Sequence, residues 1–178
     1  MNKNARFGFT LVEMVVTVAI MALLLALGVP SFQALMRNNR VAAHANEFLG
    51  ALNLARGEAI KRGSGVRVVL CPGTSAGCSG TAWGSGWIVF VDTNNNGSRD
   101  AGEPVLRVYS ALSGNETLTG NTNVSSYISF TADGSARLIG GGFQAGTLTF
   151  GLCNSSNRRN TIVINSVGRA RVAPVACS

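Results

Sequence analysis

The order of hydrophobic and polar residues divides this chain into an apolar run, an amphipathic segment and a series of short alternating segments. Residues 9–29 (FTLVEMVVTVAIMALLLALGV) are almost all apolar and include one charged side chain, Glu13. A helix of this length spans about 30 Å, the thickness of the hydrocarbon core of a bilayer. We therefore predict a transmembrane helix over residues 9–29, with Lys3 and Arg6 on its cytoplasmic side.

The helical pattern continues to residue 62 with a different character. Apolar side chains recur at the spacing of one helix face, which consists of Phe48, Leu52, Ala55 and Ala59. Lys61 and Arg62 place cations in the last turn, and Gly63 suits the position just after a helix end. Residues 9–62 are therefore predicted to form one long helix whose second part packs its apolar face on a sheet.

Beyond Gly65 the period changes to that of strands separated by Gly, Ser and Asn clusters. The predicted strands cover residues 66–71, 86–91, 105–112, 127–131, 147–152 and 160–165, and the last can continue over 169–172. The polar stretch 113–126 (SGNETLTGNTNVSS) is predicted to be a long surface loop. This order predicts an α+β fold, in which the long N-terminal helix packs on an antiparallel β-sheet head formed by residues 63–178.

Four cysteines form two local groups in the head, Cys71 with Cys78 and Cys153 with Cys177. Neither group has the C-x2-C spacing or the histidines of a zinc site, because the single histidine lies in the helical segment. We predict two disulfide bonds, Cys71–Cys78 and Cys153–Cys177, formed in an oxidising compartment. The other pairings, and buried free thiols, stay open at this point.

The charge balance is basic and uneven along the chain. There are 15 Lys and Arg residues against 8 Asp and Glu, which gives a net charge of +7. No acidic residue follows Asp133, whereas that part of the chain contains Arg137, Arg158, Arg159, Arg169 and Arg171. Such a surplus suits nucleic acid or anionic lipid and also occurs simply for solubility, so charge alone does not choose a partner.

The N-terminal motif narrows the class of protein. A secretory signal peptide would explain an apolar run, and residues 26–28 (ALG) could serve as its cleavage site. However, a carboxylate inside such a run is costly unless it has a task. The stretch GFTLVEMVV, residues 8–16, followed by Pro30, resembles the N-terminus of type IV prepilins.

That resemblance implies a leader peptide, residues 1–8, which prepilin peptidase removes between Gly8 and Phe9, followed by N-methylation of Phe9. Glu13 would pair with the N-terminal amine of a neighbouring subunit, which neutralises a charge that is otherwise costly in an apolar environment. The helix would first hold the protein in the inner membrane as a single pass with a periplasmic head. It would later pack with other major and minor pilins in a pilus at the extracellular surface.

Four further stretches resemble the GspH/FimT family of minor pilins and pseudopilins, in the right order and over nearly the whole chain. They are LNLARGEAIKRG (52–63), GWIVFVDTNNNGSRDAGEPVLR (86–107), ISFTADGSA (128–136) and GRARV (168–172). The resemblance implies a role in initiating or tipping a filament. For FimT-like members it also implies DNA binding during natural transformation, the uptake of DNA by competent cells.

The GRAR stretch matches the motif that FimT-like pilins use to bind DNA. If it is extended, Arg169 and Arg171 point to the same side about 7 Å apart, close to two axial phosphate steps of one DNA strand. Gly168 allows a sharp turn, and Arg158 and Arg159 would enlarge the cationic surface if the loops converge. Contacts of this kind are made with phosphates, so binding is expected to be independent of sequence and strongly salt-dependent.

A purely structural role is the alternative for the same arginines. They would then be a solvated strand end that supports solubility or contacts a neighbouring pilin. The protein would be a structural minor pilin, or a pseudopilin of type II secretion, that primes assembly without binding DNA.

The loop after the second predicted strand carries oxygen-bearing side chains at the positions of a calcium-binding loop. They are Asp92, Asn94, Asn96, Ser98, Asp100 and Glu103, with Gly97 at the sixth position. Strands rather than helices flank this loop, and Arg99 lies inside it. We favour a hairpin connection whose Asp and Asn side chains cap their own turn, and keep calcium as the alternative ligand. No other cofactor is expected.

The sequence does not indicate an enzyme. His44 has no convincing Ser or Cys nucleophile to pair with, and no glycine-rich phosphate loop follows a strand. Trp83 and Trp87 could stack on nucleic-acid bases, but their position at a strand start favours core packing.

Overall fold

The chain folds into a long helix followed by β-strands. A computed structural model describes residues 9–113, 116–151 and 158–176. Helix α1 spans Leu11–Arg62 and contains Pro30. The chain forms two compact units, one up to Asn38 and the other from Asn39 onward. The boundary between the units lies inside α1. The second half of the helix therefore belongs to the β-rich unit.

The first unit consists of the apolar half of α1. It begins with a hydrogen bond from the backbone N–H of Glu13 to Oγ1 of Thr10 (3.2 Å), a helix-capping contact. The side chains from Leu11 to Met36 are largely exposed, and the segment is long and apolar enough to cross a membrane. Length and composition therefore agree with the predicted span.

Within the residues that the structure describes, the second unit contains two antiparallel sheets rather than the single sheet that was predicted. The first sheet consists of β1 (Arg67–Thr74), β2 (Gly77–Cys78), β3 (Trp87–Asp92), β4 (Val105–Tyr109) and β6 (Ile128–Phe130). Its strand order is β2-β1-β3-β4, and β6 also pairs with β1. The second sheet consists of β5 (Leu118–Gly120), β7 (Gly146–Phe150), β8 (Arg158–Ile164) and β9 (Ala170–Ala176). Its strand order is β5-β7-β8-β9. Each predicted strand has a counterpart whose ends differ by a few residues.

The apolar face of α1 forms the centre of the core. The buried helix residues are Ala45, Phe48, Ala51, Leu52, Ala55 and Ala59, which confirms the predicted face. The Phe48 ring lies edge-on to Trp87 of the first sheet (5.0 Å between centroids) and to Phe150 of the second (5.9 Å). Trp83 and Trp87 are fully buried, as the core interpretation predicts.

The prediction of a surface loop over 113–126 is wrong. Strand β5 lies within it, and a short 3-10 turn, Thr122–Val124, follows. Leu118 and Val124 are buried in the core, and β5 pairs with β7. These two apolar side chains anchor a stretch whose polar composition suggested only solvent. Strand β2 was also not predicted.

One of the two predicted disulfide bonds lies within the described residues. Cys71 of β1 and Cys78 of β2 are bonded across a tight hairpin, as predicted. Cys71 is fully buried with Val69, Ile88 and Phe90 on the side of the first sheet away from α1. Cys153 and Cys177 lie outside the described residues.

Removing this bond is expected to destabilise the head. The double change Cys71→Ala and Cys78→Ala opens a small covalent ring, and a ring of this size contributes about 2–3 kcal/mol through loop closure. We expect at least that decrease in the free energy of unfolding, measured by urea denaturation in detergent. An unchanged midpoint would contradict it.

Candidate nucleic-acid interface

The GRAR stretch begins at the turn of the β8–β9 hairpin. Asn165 closes this turn: its backbone N–H donates to the carbonyl of Arg169 (3.0 Å), and its Oδ1 accepts from the backbone N–H of Arg169 (2.8 Å). The N–H of Gly168 donates to the carbonyl of Asn165 (2.9 Å). Gly168 has φ +76°, a left-handed conformation that favours glycine. These hydrogen bonds therefore fix the backbone position of Arg169 at the end of the turn.

A second turn, which contains Gly134, contacts the hairpin turn at Gly168. A Cβ added at Gly168 would overlap the carbonyl oxygen of Gly134, so the two turns touch through their backbones. The same carbonyl of Gly134 accepts from Nε of Arg56 on α1 (2.9 Å). Since Arg56 lies on the helix that forms the core, the arginine hairpin is tied to the core through Gly134.

The acidic residue nearest to this hairpin in sequence is already engaged. Oδ1 of Asp133 accepts from Oγ1 of Thr131 (2.6 Å), and from the hydroxyl (2.7 Å) and backbone N–H (3.0 Å) of Ser135. These hydrogen bonds hold the pKa of the Asp133 carboxyl well below its usual range, with help from Arg137 at 3.7 Å. Asp133 is thus ionised at neutral pH and committed to its own turn.

Strand alternation sets the direction of the two arginines. Ala170 and Val172 pack on the core, opposite Ile164 and Ile162 of β8. Arg169 and Arg171 therefore point away from the core, and both are exposed. Within the described residues neither forms an ion pair.

The other predicted DNA-binding arginines lie at the opposite end of the hairpin. Arg159 is half-buried and pairs with Val175, on the same side of the sheet as Arg171. The partner of Arg171 is Val163, four residues further along β8, so Arg159 is about 14 Å away along the strands. Arg158 is the first residue of β8, and its side chain lies outside the described part.

Several other basic side chains serve the fold. Nη1 of Arg67 donates to the Ser129 hydroxyl (3.1 Å) and to the carbonyls of Arg137 (3.2 Å) and Leu138 (3.1 Å). Lys61 and Arg62 pair with Glu58, and their hydrogen bonds and charges lower the pKa of that carboxyl. The net charge of +7 therefore overstates what is available to a ligand.

Sequence reasoning missed two features of the head. Arg56 and Gly134 lie in the family-like stretches, but no pattern indicated that they meet. His44 has carboxylates on both sides, Glu47 at 3.6 Å and Glu116 at 3.4 Å, the latter also 3.9 Å from Arg40. Burial raises the pKa of Glu116, while the charges of His44 and Arg40 oppose that shift.

The loop with the calcium pattern caps itself. Asp92 accepts from the backbone N–H groups of Asn96 (3.1 Å) and Gly97 (2.8 Å). Both oxygens of Glu103 are also used, by the N–H and hydroxyl of Thr93 (2.7 and 2.9 Å) and by the N–H of Asp100 (3.0 Å). In the described part of the chain, no three His, Cys, Asp or Glu side chains gather around a common point. A calcium ion would have to displace these hydrogen bonds.

The remaining members of the pattern also bond to each other. Asp100 Oδ2 accepts from Nδ2 of Asn94 and of Asn96 (both 2.7 Å), which lowers the pKa of Asp100. Oδ1 of Asn96 accepts from the N–H of Ser98 (2.7 Å). This is the arrangement expected of a turn built from Asp and Asn side chains.

The predicted processing residues lie at the start of the chain. Phe9 is exposed, and Glu13 lies in the first turn of α1. Gly8 lies outside the described residues. Glu13 thus combines a place in the apolar segment with a place at the helix start, where a carboxylate is favoured by the helix dipole.

An apolar N-terminal helix continuing into a β-rich head defines a subunit of the type IV pilin class, and comparisons with known proteins agree. The pattern described as "Prokaryotic N-terminal methylation motif" matches residues 3–29. The family described as "Type II transport protein GspH" matches residues 44–168, more than half of the chain. The chain belongs to this GspH/FimT family of type IV minor pilins and pseudopilins.

Two solved structures share the fold. Both are crystal forms of the type IV minor pilin FimU of Pseudomonas aeruginosa, each 18% identical to this chain. They superpose with TM-scores of 0.58 and 0.54, over 79% and 75% of this chain and 92% of FimU. No match was found among curated protein sequences.

Substitution of Gly168 tests the contact between the two turns. Gly168→Ala adds a Cβ at a positive φ, which costs about 1–2 kcal/mol, and also overlaps the carbonyl of Gly134. The matched control is Gly102→Ala, which has φ +94° but open space around its Cβ. We expect a larger loss of unfolding free energy for Gly168→Ala, and equal losses would refute the contact.

Metal addition tests the self-capped loop. Because its oxygens already have donors, EGTA is expected to leave the Tm of the protein unchanged, and calcium chloride to act no differently from magnesium chloride. A rise of several degrees in Tm with calcium alone would show instead that the loop binds this ion.

Proposed function

We propose that this chain is a minor type IV pilin that binds extracellular DNA by sequence-independent phosphate contacts for uptake in natural transformation. The observation that carries the proposal is the pair Arg169 and Arg171. Both are exposed, point to one side of β9, and form no ion pair with a described residue. The planar guanidinium group suits phosphate oxygens well, because it can donate two hydrogen bonds at once.

The surroundings of the pair support an anionic ligand. No acidic residue follows Asp133 in the sequence, and Asp133 is held in its own turn. The anchored Gly168 turn presents both arginines from a hairpin whose backbone is already fixed, so little backbone freedom would be lost on binding. A flexible tail of the same charge would lack this advantage.

The proposal includes a cellular route. Prepilin peptidase would cut between Gly8 and Phe9, and Phe9 would be methylated. The apolar helix would hold the protein in the inner membrane with a periplasmic head, before it joins other pilins at the cell surface. Glu13, in the first turn of α1, would then pair with the amine of a neighbouring subunit.

The second candidate is a structural minor pilin or pseudopilin that primes a pilus or a type II secretion pseudopilus. The similarity to FimU and the description of the matching family favour it. In that case the two arginines contribute solubility or contact another pilin, and DNA is not a ligand.

A DNA-binding measurement separates these candidates. The full chain in non-ionic detergent is titrated into labelled DNA, and Arg169→Gln with Arg171→Gln is expected to abolish retention in a mobility shift. Each arginine is expected to contribute about one to the slope of log K against log salt concentration. The single change Arg107→Gln removes the same charge from an exposed residue of β4 and is expected to have a small effect.

If the wild-type protein does not bind DNA even at low salt, the DNA-binding proposal is wrong and the structural minor pilin or pseudopilin is the remaining candidate. Equal losses for Arg171→Gln and Arg107→Gln would also count against the proposal, because they would show that only the net charge matters.

A further inference from the structure

We propose that the DNA taken by this site is duplex, and that it crosses the outer face of the second sheet over Thr147 and Thr149. This inference rests on the proposed function and extends it from two arginines to a surface. The outer face is defined here by the side chains of the second sheet that point away from α1: Thr119, Thr147, Thr149, Arg159, Thr161, Val163, Arg171, Ala173 and Val175.

Strand alternation separates the outer face from the core. On β7, Leu148 and Phe150 are buried in the core while Thr147 and Thr149 between and beside them are half-buried. On β8, Ile162 and Ile164 are core residues while Val163 is half-buried. The outer face is thus built mainly from short Thr and Val side chains, of which Thr161 is buried and the others are half-buried or exposed.

The register places the threonines in line with the arginine pair. Arg171 pairs with Val163, and Val163 pairs with Thr147, so these residues form one row across three strands. Neighbouring strands are about 4.8 Å apart, which puts Thr147 about 10 Å from Arg171. Thr149 lies in the next parallel row, with Thr161 on its neighbouring strand. A polyanion that crosses the strands from Arg171 therefore passes directly over Thr147, and one wider than the roughly 7 Å between the two rows also covers Thr149.

The hydroxyl groups of Thr147 and Thr149 are also available to donate hydrogen bonds to a ligand. Within the described residues, neither the Thr147 nor the Thr149 hydroxyl has a partner. In contrast, the Thr161 hydroxyl donates to the carbonyl of Ala173 (3.0 Å). Threonine hydroxyls are common donors to DNA phosphates. The sequence of β7, β8 and β9 contains no carboxylate that would repel a phosphate, and Arg159 adds a cation beyond the threonines.

The absence of aromatic groups on this face selects the form of DNA. Phe150, the aromatic residue of β7, points into the core, and none of the outer-face residues is aromatic. Proteins that hold single strands without sequence preference rely on aromatic stacking, which this face cannot supply. Binding by phosphates alone favours the duplex, which presents one charge per about 1.7 Å of axis against about 3.4 Å for one strand.

Charge placed on the outer face tests the path. Thr147→Asp and Thr149→Asp are each compared with Val108→Asp, which puts the same charge on an exposed residue of β4 in the first sheet. We measure affinity by fluorescence anisotropy, with the full chain in non-ionic detergent and a labelled duplex at low salt. Each Thr→Asp change is expected to weaken binding about tenfold more than the control, since a carboxylate would then face a phosphate.

Placing a positive charge at the same two positions controls for the possibility that the Thr→Asp variants bind less because they misfold. Thr147→Lys and Thr149→Lys are expected to tighten binding, which a misfolded protein would not do. The duplex is expected to bind more tightly than either of its single strands. If wild type binds and Arg171→Gln weakens binding, but Thr→Asp changes match Val108→Asp, the path over the sheet is wrong and the proposed function stands.

Two other results are decisive. Tighter binding of the single strand would overturn the duplex assignment. No binding by wild type would remove the proposed function together with this inference.

Discussion

The head depends on the burial of one face of α1 against two sheets at once. Phe48 contacts Trp87 of the first sheet and Phe150 of the second, and the alanines above and below it let the helix backbone approach the strands. Each sheet has an apolar side that must be covered, and the helix covers both. The two sheets are therefore held in one unit by a shared partner, the second half of α1.

The position of the arginine hairpin follows from the same helix. Arg56 lies eight residues after Phe48, about two turns along α1, and donates to the carbonyl of Gly134. Gly134 contacts Gly168, and Arg169 follows at once. Three of the stretches that resemble the GspH/FimT family therefore meet at one point. These stretches are therefore joined by a packing contact.

Sequence reasoning succeeded where one strong local pattern decided the structure. The helix face around Phe48 follows a 3.6-residue period, and the Cys71–Cys78 hairpin is a local pair. It failed for β5, where Leu118 is a single apolar residue in a polar stretch and its partner strand is distant in sequence. The contact of Gly134 with Gly168 was invisible for a similar reason, because it joins two backbones and leaves no side-chain pattern.

The charge of the protein shows why position matters more than composition. Arg56 and Arg67 donate to main-chain carbonyls, Lys61 and Arg62 share Glu58, and other basic residues have carboxylate partners. A head whose cations were all engaged in this way would still have a high pI, so the pI does not show whether any cation is available to a ligand. What distinguishes this head is a turn that directs two guanidinium groups to one side of a sheet, where neither forms an ion pair with a residue that the structure describes. Since electrostatic attraction weakens quickly with distance in salt water, cations within about 10 Å of a polyanion contribute more to its attraction than the net charge of the protein does.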